Sequence, residues 1–305
     1  MRNPQLSPLD LWLHRYWSPD PAALERLGAG RPAVVITGAS EGIGLALADR
    51  FAAAGCPVLL IARGEAAITT AAAGVAQRYG VDAVPLTLDI TAPDAAEQIA
   101  AALARHGLYC DVLVNNAGIG LSGPYANHEP QAVARLIDTN VRALSLLMRR
   151  FLPDMCIRGR GGMLNVASLG GYAPGPNQAA YYASKAYVIS LTRAVAWETR
   201  GLGLRIAVLS PGPVDTRFHA KMGTDTALYR YLLRGSSAEQ VARAGYQGWR
   251  WHCRVILPGL FTPILALVMT LTPGILSIPI IGLLLRRPQS GPANRPKAGE
   301  DARRS

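Results

Sequence analysis

The chain has 305 residues, half of them hydrophobic and 17% charged, with 31 glycines and a formal net charge of +11. That suffices for one large α/β domain or two small ones, and it is too apolar for a disordered chain. Four isolated cysteines and five histidines without ligand spacing exclude a metal site or a disulfide framework as the organising feature, and the basic excess lacks the stacking aromatics or groove-reading motif of a nucleic-acid binder. An anionic cofactor and an anionic membrane surface account for the charge more economically. The thiols read as buried and reduced, and Met1 to Asp10 does not resemble a secretory leader, so a cytoplasmic setting is expected.

Residues 1–32 read as an N-terminal extension in which Leu9 to Trp17 could form one short amphipathic helix before Pro19 and Pro21. A regular domain follows over 33–253. Short apolar runs (Ala33–Thr37, Val58–Ile61, Ala83–Leu88, Val112–Val114, Met163–Val166, Arg205–Leu209) alternate with helical segments (Gly42–Ala54, Glu65–Tyr79, Pro93–His106, Pro130–Ile157, Gln178–Arg200). Continuous apolar runs alternating with helices predict a doubly wound parallel sheet, which binds ligands beyond the carboxyl ends of its strands.

The first such end carries Gly38, Ser40, Gly42, Ile43 and Gly44 in a G-x-x-x-G-x-G turn, suited to close approach of a pyrophosphate at a helix N-terminus. Arg63 ends the second strand, where an acid would accept an NAD ribose and an arginine suits the extra phosphate of NADP; Glu41 and Glu65 weigh the other way. Asp89 follows the third strand and Asn115-Asn116-Ala117-Gly118 the fourth. Asn140 sits inside the long helix from Pro130, where a mediocre helix former points to a kink or a task. Ser168 follows the fifth strand.

Tyr181 and Lys185 stand four residues apart, on one face of a helix and roughly 6 Å apart along its axis. A fixed positive charge beside a phenol favours the phenolate. Lowering a tyrosine from about 10 toward neutrality takes ~4 kcal/mol and makes it a usable acid/base.

Taken in order, Thr37-Gly38-x-x-x-Gly42-x-Gly44, Asn115-Asn116-Ala117-Gly118, Asn140, Ser168, Tyr181-x-x-x-Lys185 and Pro211-Gly212-Pro213-Val214-Asp215-Thr216 resemble the short-chain dehydrogenases/reductases over roughly residues 33–250. The resemblance implies one Rossmann-like domain of about seven strands and an NADP(H)-dependent oxidoreductase, with NAD the less suited cofactor. In it Tyr181 is the general acid/base, Ser168 holds the substrate oxygen, Lys185 bonds the nicotinamide ribose, and Asn140 holds a water linked to Lys185. Asp89, Asn116, Ala117, Gly118, Pro211, Gly212, Val214 and Thr216 would line the cofactor, and no metal is required. It also implies a homo-oligomer formed through the helices of Asn140 and Tyr181. An NADPH-binding regulator without turnover and a sugar-nucleotide epimerase are the competing readings. The intact Ser168–Tyr181–Lys185 set argues against the first, and the lack of a large C-terminal substrate domain against the second.

Ser236–Gly248 resembles the family's last amphipathic helix. From 254 to 287 the chain departs from the pattern: Val255–Leu285 is an uncharged run of 31 residues broken by Pro258, Pro263, Pro273 and Pro279. Three readings stay open: a hairpin docked on a membrane surface, a hydrophobic lid or oligomer contact, and a transmembrane helix. The first two suit a lipophilic carbonyl or alcohol. Residues 288–305 read as a disordered basic tail.

Overall fold

Strands β1 (Arg31–Thr37), β2 (Val58–Ala62), β3 (Ala83–Thr87), β4 (Leu108–Asn115), β5 (Gly162–Val166), β6 (Arg205–Leu209) and β7 (Val255–Ile256) form one sheet in the order β3-β2-β1-β4-β5-β6-β7. Every pairing is parallel. The structure is a computed structural model that describes residues 21–27, 30–216, 218, 222 and 235–286. The helix expected at Leu9–Trp17 and the tail 288–305 lie outside the described residues.

The crossovers are α2 (Gly42–Ala52), α3 (Glu65–Tyr79), α4 (Ala95–Arg105), α5 (Pro130–Ile137) continuing into α6 (Leu144–Arg158), and α7 (Ala179–Glu198), with α8 (Ala238–Arg250) before β7. A short α1 (Pro21–Arg26) precedes β1. Because side chains alternate along a strand, each strand feeds two cores. Val35, Leu59, Ile61 and Leu113 meet Ile99, Phe151 and Val188 on the face covered by α4, α6 and α7. Val34, Ile36, Leu60 and Val114 meet Leu47, Ile68 and Val241 on the face covered by α2, α3 and α8. On that second face Phe51 sits edge-on to Tyr246 and Trp249, with centroids 5.0 and 5.5 Å away. The start of α8 is closed by Ser237 and Gln240, each side chain bonded to the other's backbone N–H at 3.2 and 3.0 Å.

Three local expectations change. The helix predicted as continuous over Pro130–Ile157 widens into a π-helical stretch at Asp138–Ala143, centred on Asn140. The uncharged C-terminal run begins inside the sheet, since Val255–Ile256 pairs with Val208–Leu209 as β7. Beyond it the run folds into two short helices, α9 (Thr262–Leu271) and α10 (Gly274–Leu284), broken at Thr272-Pro273. No helix among the described residues is long and apolar enough to cross a membrane. All four cysteines are free, and Cys110 and Cys156 are buried as expected, but Cys253 is exposed.

The winding reverses at β1, which pairs with β2 on one side and β4 on the other. The crevice beyond Thr37 and Asn115 is therefore where a ligand would enter.

Candidate active site

The turn after β1 is held shut by side chains that reach across the crevice. Thr37 Oγ1 accepts from the backbone N–H groups of Asn116 and Ala117, both at 3.1 Å. The Asn116 amide donates back to the carbonyls of Thr37 and Gly38, both at 3.0 Å. Gly38 and Gly42 take φ of +65° and +60°, a region costly for residues with a Cβ. A Cβ on Gly44 would stand 2.3 Å from the Gly38 carbonyl oxygen, so this glycine lets α2 start directly on the turn. The result is a helix N-terminus facing a cavity lined by Gly38, Ser40, Gly42 and Ile43, with the positive end of the dipole toward any anion placed there.

Arg63 and Asp89 line the far end of the same cavity, beyond β2 and β3. Asp89 Oδ1 accepts from the Thr91 N–H and hydroxyl at 2.9 and 2.8 Å. Those bonds lower its pKa, with a smaller contribution from the Arg63 charge. An exposed guanidinium beside a fixed carboxylate suits a phosphorylated ribose and an adenine amino group.

Ser168, Tyr181 and Lys185 line the same cavity. Ser168 leaves β5 at its carboxyl end, and its Oγ accepts from Gly170 N–H at 3.1 Å. Tyr181 and Lys185 lie one turn apart on α7, both buried, with Lys185 Nζ 5.8 Å from the Tyr181 ring centroid. Lys185 Nζ donates to the Val166 carbonyl at 2.9 Å, and burial lowers its pKa to about 8. It is still about nine-tenths protonated at pH 7.

The π-helical stretch turns Asn140 toward this pair. Its Oδ1 accepts from Ile119 N–H at 2.9 Å, and its Nδ2 donates to the Ile119 carbonyl at 2.8 Å and to Ser184 Oγ at 3.0 Å. Ser184 in turn donates to the Tyr181 carbonyl at 2.7 Å. A Cβ on Gly118 would stand 3.3 Å from Asn140 Oδ1 and 3.4 Å from Lys185 Nζ, so the loop after β4 threads between them. With its amide engaged on Ile119 and Ser184, Asn140 fixes that loop against α7.

The cavity joining these ends measures about 1600 Å³ and is also lined by Asn116, Ala117, Gly118, Pro211, Gly212, Val214 and Thr216. Apart from Gly44 and Asn140, which do not line it, the site residues singled out in the sequence face one space, larger than the few hundred to ~1,000 Å³ of a pocket for one small ligand. Pro211–Thr216 closes one side: Leu169 N–H donates to the Pro211 carbonyl at 2.8 Å, and Thr216 approaches Gly42, where a Cβ would meet its methyl at 3.4 Å. The glycine turn, the Asn116 clamp and the Arg63–Asp89 end fit a dinucleotide. Among the described residues no cluster of His, Cys, Asp or Glu could hold a metal ion.

The sequence reading missed several residues. Thr37, noted only as the first residue of the glycine motif, latches the Asn116 loop, and Ser184 latches Asn140 to α7, which nothing distinguishes from an ordinary polar helix residue without the fold. Tyr182 packs on Gly170 and Gly175, where added Cβ atoms would come 2.9 and 2.4 Å from its ring. Phe218 lies 5.7 Å, centroid to centroid, from the Tyr181 ring. Leu265, Val268, Met269, Ile281 and Leu284 of α9 and α10 also line the cavity.

The profile of the short chain dehydrogenases matches residues 32–227. A short chain dehydrogenase of Pseudocercospora fijiensis is 37% identical over 189 residues, which are 61% of this chain and 60% of that protein. The 1-deoxy-11-beta-hydroxypentalenate dehydrogenase of Streptomyces exfoliatus is 35% identical over 187 residues, 60% of this chain and 68% of that one. Among solved structures, a short-chain dehydrogenase from Sphingobium yanoikuyae in complex with NADPH is 30% identical at a TM-score of 0.69, covering 75% of this chain and 88% of that one. A bulky-bulky ketone specific alcohol dehydrogenase from Comamonas testosteroni is 25% identical at a TM-score of 0.66, covering 76% and 87%. With its seven-stranded parallel sheet and the Tyr181–Lys185 pair beside a glycine turn, this chain belongs to the short-chain dehydrogenases, a family of oxidoreductases.

Proposed function

We propose that this protein is an NADP(H)-dependent oxidoreductase that interconverts a carbonyl and a secondary alcohol on a lipophilic substrate, with Tyr181 as general acid/base. The observation that carries the reading is that Ser168, Tyr181 and Lys185 line the same cavity as an anion-receptive turn and Arg63. Bound nicotinamide supplies or accepts the hydride.

In the reductive direction the Tyr181 hydroxyl gives its proton to the substrate oxygen, and Ser168 Oγ donates a hydrogen bond to the same atom. Lys185, anchored on the Val166 carbonyl, places a positive charge beside the phenolate left behind. Asn140 keeps the 118–119 loop and α7 in register around that proton path. The oxidative direction runs the same transfers backward.

NADP preference is supported by Arg63 at the end of β2 and by NADPH in the Sphingobium neighbour. The lipophilic substrate is supported by the apolar wall from α9 and α10 and by the bulky ketones named for the Comamonas enzyme. A homo-oligomer through the α5–α7 face is supported by exposed Ile137, Leu146 and Tyr187 on those helices. Four free cysteines suit a cytoplasmic, reducing setting.

The test compares wild type with Tyr181→Phe. NADPH binding followed by fluorescence stays within about twofold, while NADPH oxidation with a panel of lipophilic ketones falls by roughly 10²–10⁴. Comparable turnover in the variant removes Tyr181 from the proton transfer.

A further inference from the structure

Helices α9 and α10 are apolar on both sides, which a simple lid on a water-facing pocket does not need. On α9, Leu265, Val268 and Met269 line the cavity at helical spacing, with Thr272 just past its end, and on α10 Ser277, Ile280, Ile281 and Leu284 do the same. The opposite face is equally apolar and lies open. Leu267 and Leu271 of α9 are 59 and 71% exposed, Ile275, Leu276 and Leu283 of α10 are 84, 58 and 57% exposed, and Leu260 and Phe261, just before α9, are 80 and 70% exposed. Large apolar side chains this exposed and this close together mark an interaction surface, because a helix that is hydrophobic all round is normally covered on every side.

We infer that the outer face of α9 and α10 docks into the headgroup–acyl boundary of an anionic lipid bilayer, placing the roof of the pocket in the membrane surface. Length decides how deep. Ten and eleven residues make rods of about 15 Å and 17 Å, roughly half of a ~30 Å hydrocarbon core, so the pair lies in the interface and does not span it. Charge decides what covers it. Val255 to Leu285 carries no charge, while the chain from Arg286 to Ser305, which starts at the end of α10, carries six Lys/Arg against two acids. A basic segment attached to an apolar face is complementary to anionic headgroups. A second copy meeting this face about a two-fold axis would bring two such basic segments together, where like charges repel.

This inference rests on the reading of the cavity as a site for a lipophilic carbonyl or alcohol, which would then partition from lipid into the pocket beneath α9 and α10. Docking itself needs no turnover, so the two can fail separately. Purified full-length protein is floated with vesicles of phosphatidylcholine alone and of phosphatidylcholine mixed with phosphatidylglycerol, beside the double variant Leu267→Glu/Ile275→Glu. Neither residue lines the cavity.

Wild type is expected to float with the mixed vesicles, less with neutral ones, and less again at high salt. The double variant partitions at least roughly tenfold more weakly, because two large apolar groups are lost from the contact. Reduction of a small water-soluble ketone is unchanged in the variant, and reduction of a long-chain ketone carried in the vesicles slows. Failure of wild type to float with either vesicle, or equal flotation of the variant, overturns the docking. So does a loss of dimer in the variant by size-exclusion chromatography when wild type does not float, since a second copy would then own the face. Flotation without reduction of either ketone strikes the enzymatic reading and leaves the docking face in place.

Discussion

Lys185 is buried, and the stability of the fold should report it. Its pKa falls from an ordinary 10.5 to about 8 because burial penalises the ammonium. Between those values the unfolded chain holds a proton that the folded chain releases, so stability rises with pH through that window. Below about pH 7 both states are mostly protonated and the burial penalty, about 3 kcal/mol, is nearly all present. Above about 10.5 both are neutral and it has gone. The perturbation is Lys185→Met, which keeps an unbranched chain of similar reach and removes the charge. Urea unfolding is measured without cofactor at pH 7, 8, 9 and 10 for Tyr181→Phe and Tyr181→Phe/Lys185→Met. That background keeps the neighbouring phenol from titrating in the same window, and the remaining groups cancel in the difference. The stability of the lysine protein relative to the methionine protein is expected to be flat to about pH 7.5, then to climb by ~2–3 kcal/mol by pH 10. A difference that stays level across the range would mean that water solvates the ammonium, and the account of Lys185 as a desolvated charge beside Tyr181 would be wrong.

Other consequences follow from the same geometry. Asn140→Ala removes three hydrogen bonds around Ile119 and Ser184 and leaves buried groups unpaired, so the thermal midpoint should fall by an amount corresponding to ~2–4 kcal/mol, with turnover reduced alongside it. Arg63→Ala should weaken NADPH by about ten- to a hundredfold in a titration and leave NADH nearly unchanged; equal losses for both would remove Arg63 from the 2′-phosphate. Gly44→Ala forces a Cβ to within 2.3 Å of the Gly38 carbonyl, so α2 must move, and NADPH binding by fluorescence should be largely lost.

Much of the fold can be read without coordinates. Runs such as Val34–Ile36 and Leu59–Ile61 are short, apolar and bounded by glycine or polar turns, and they are the strands that the structure pairs. β7 escapes such a reading because Val255-Ile256 is two residues at the head of a long uncharged run, and only its pairing with Val208–Leu209 makes it a strand. The π-helical stretch escapes as well: Asn140 signals an irregularity, but its form follows from bonds to Ile119 and Ser184, which are 21 and 44 residues away.

The chemistry shows the same division. Spacing within single turns determined the Tyr181–Lys185 pair, the Gly38–Gly44 loop and the sites beyond strand ends, because each depends on neighbours a few residues apart and on the fixed geometry of helix and strand. Only the tertiary structure decided that Asn116 clamps the glycine turn, that Lys185 is desolvated against the Val166 carbonyl, and that the last apolar helices roof the cavity while exposing a second apolar face. Those outcomes are settled by packing between segments tens to more than two hundred residues apart, and local pattern carries no record of which surfaces meet.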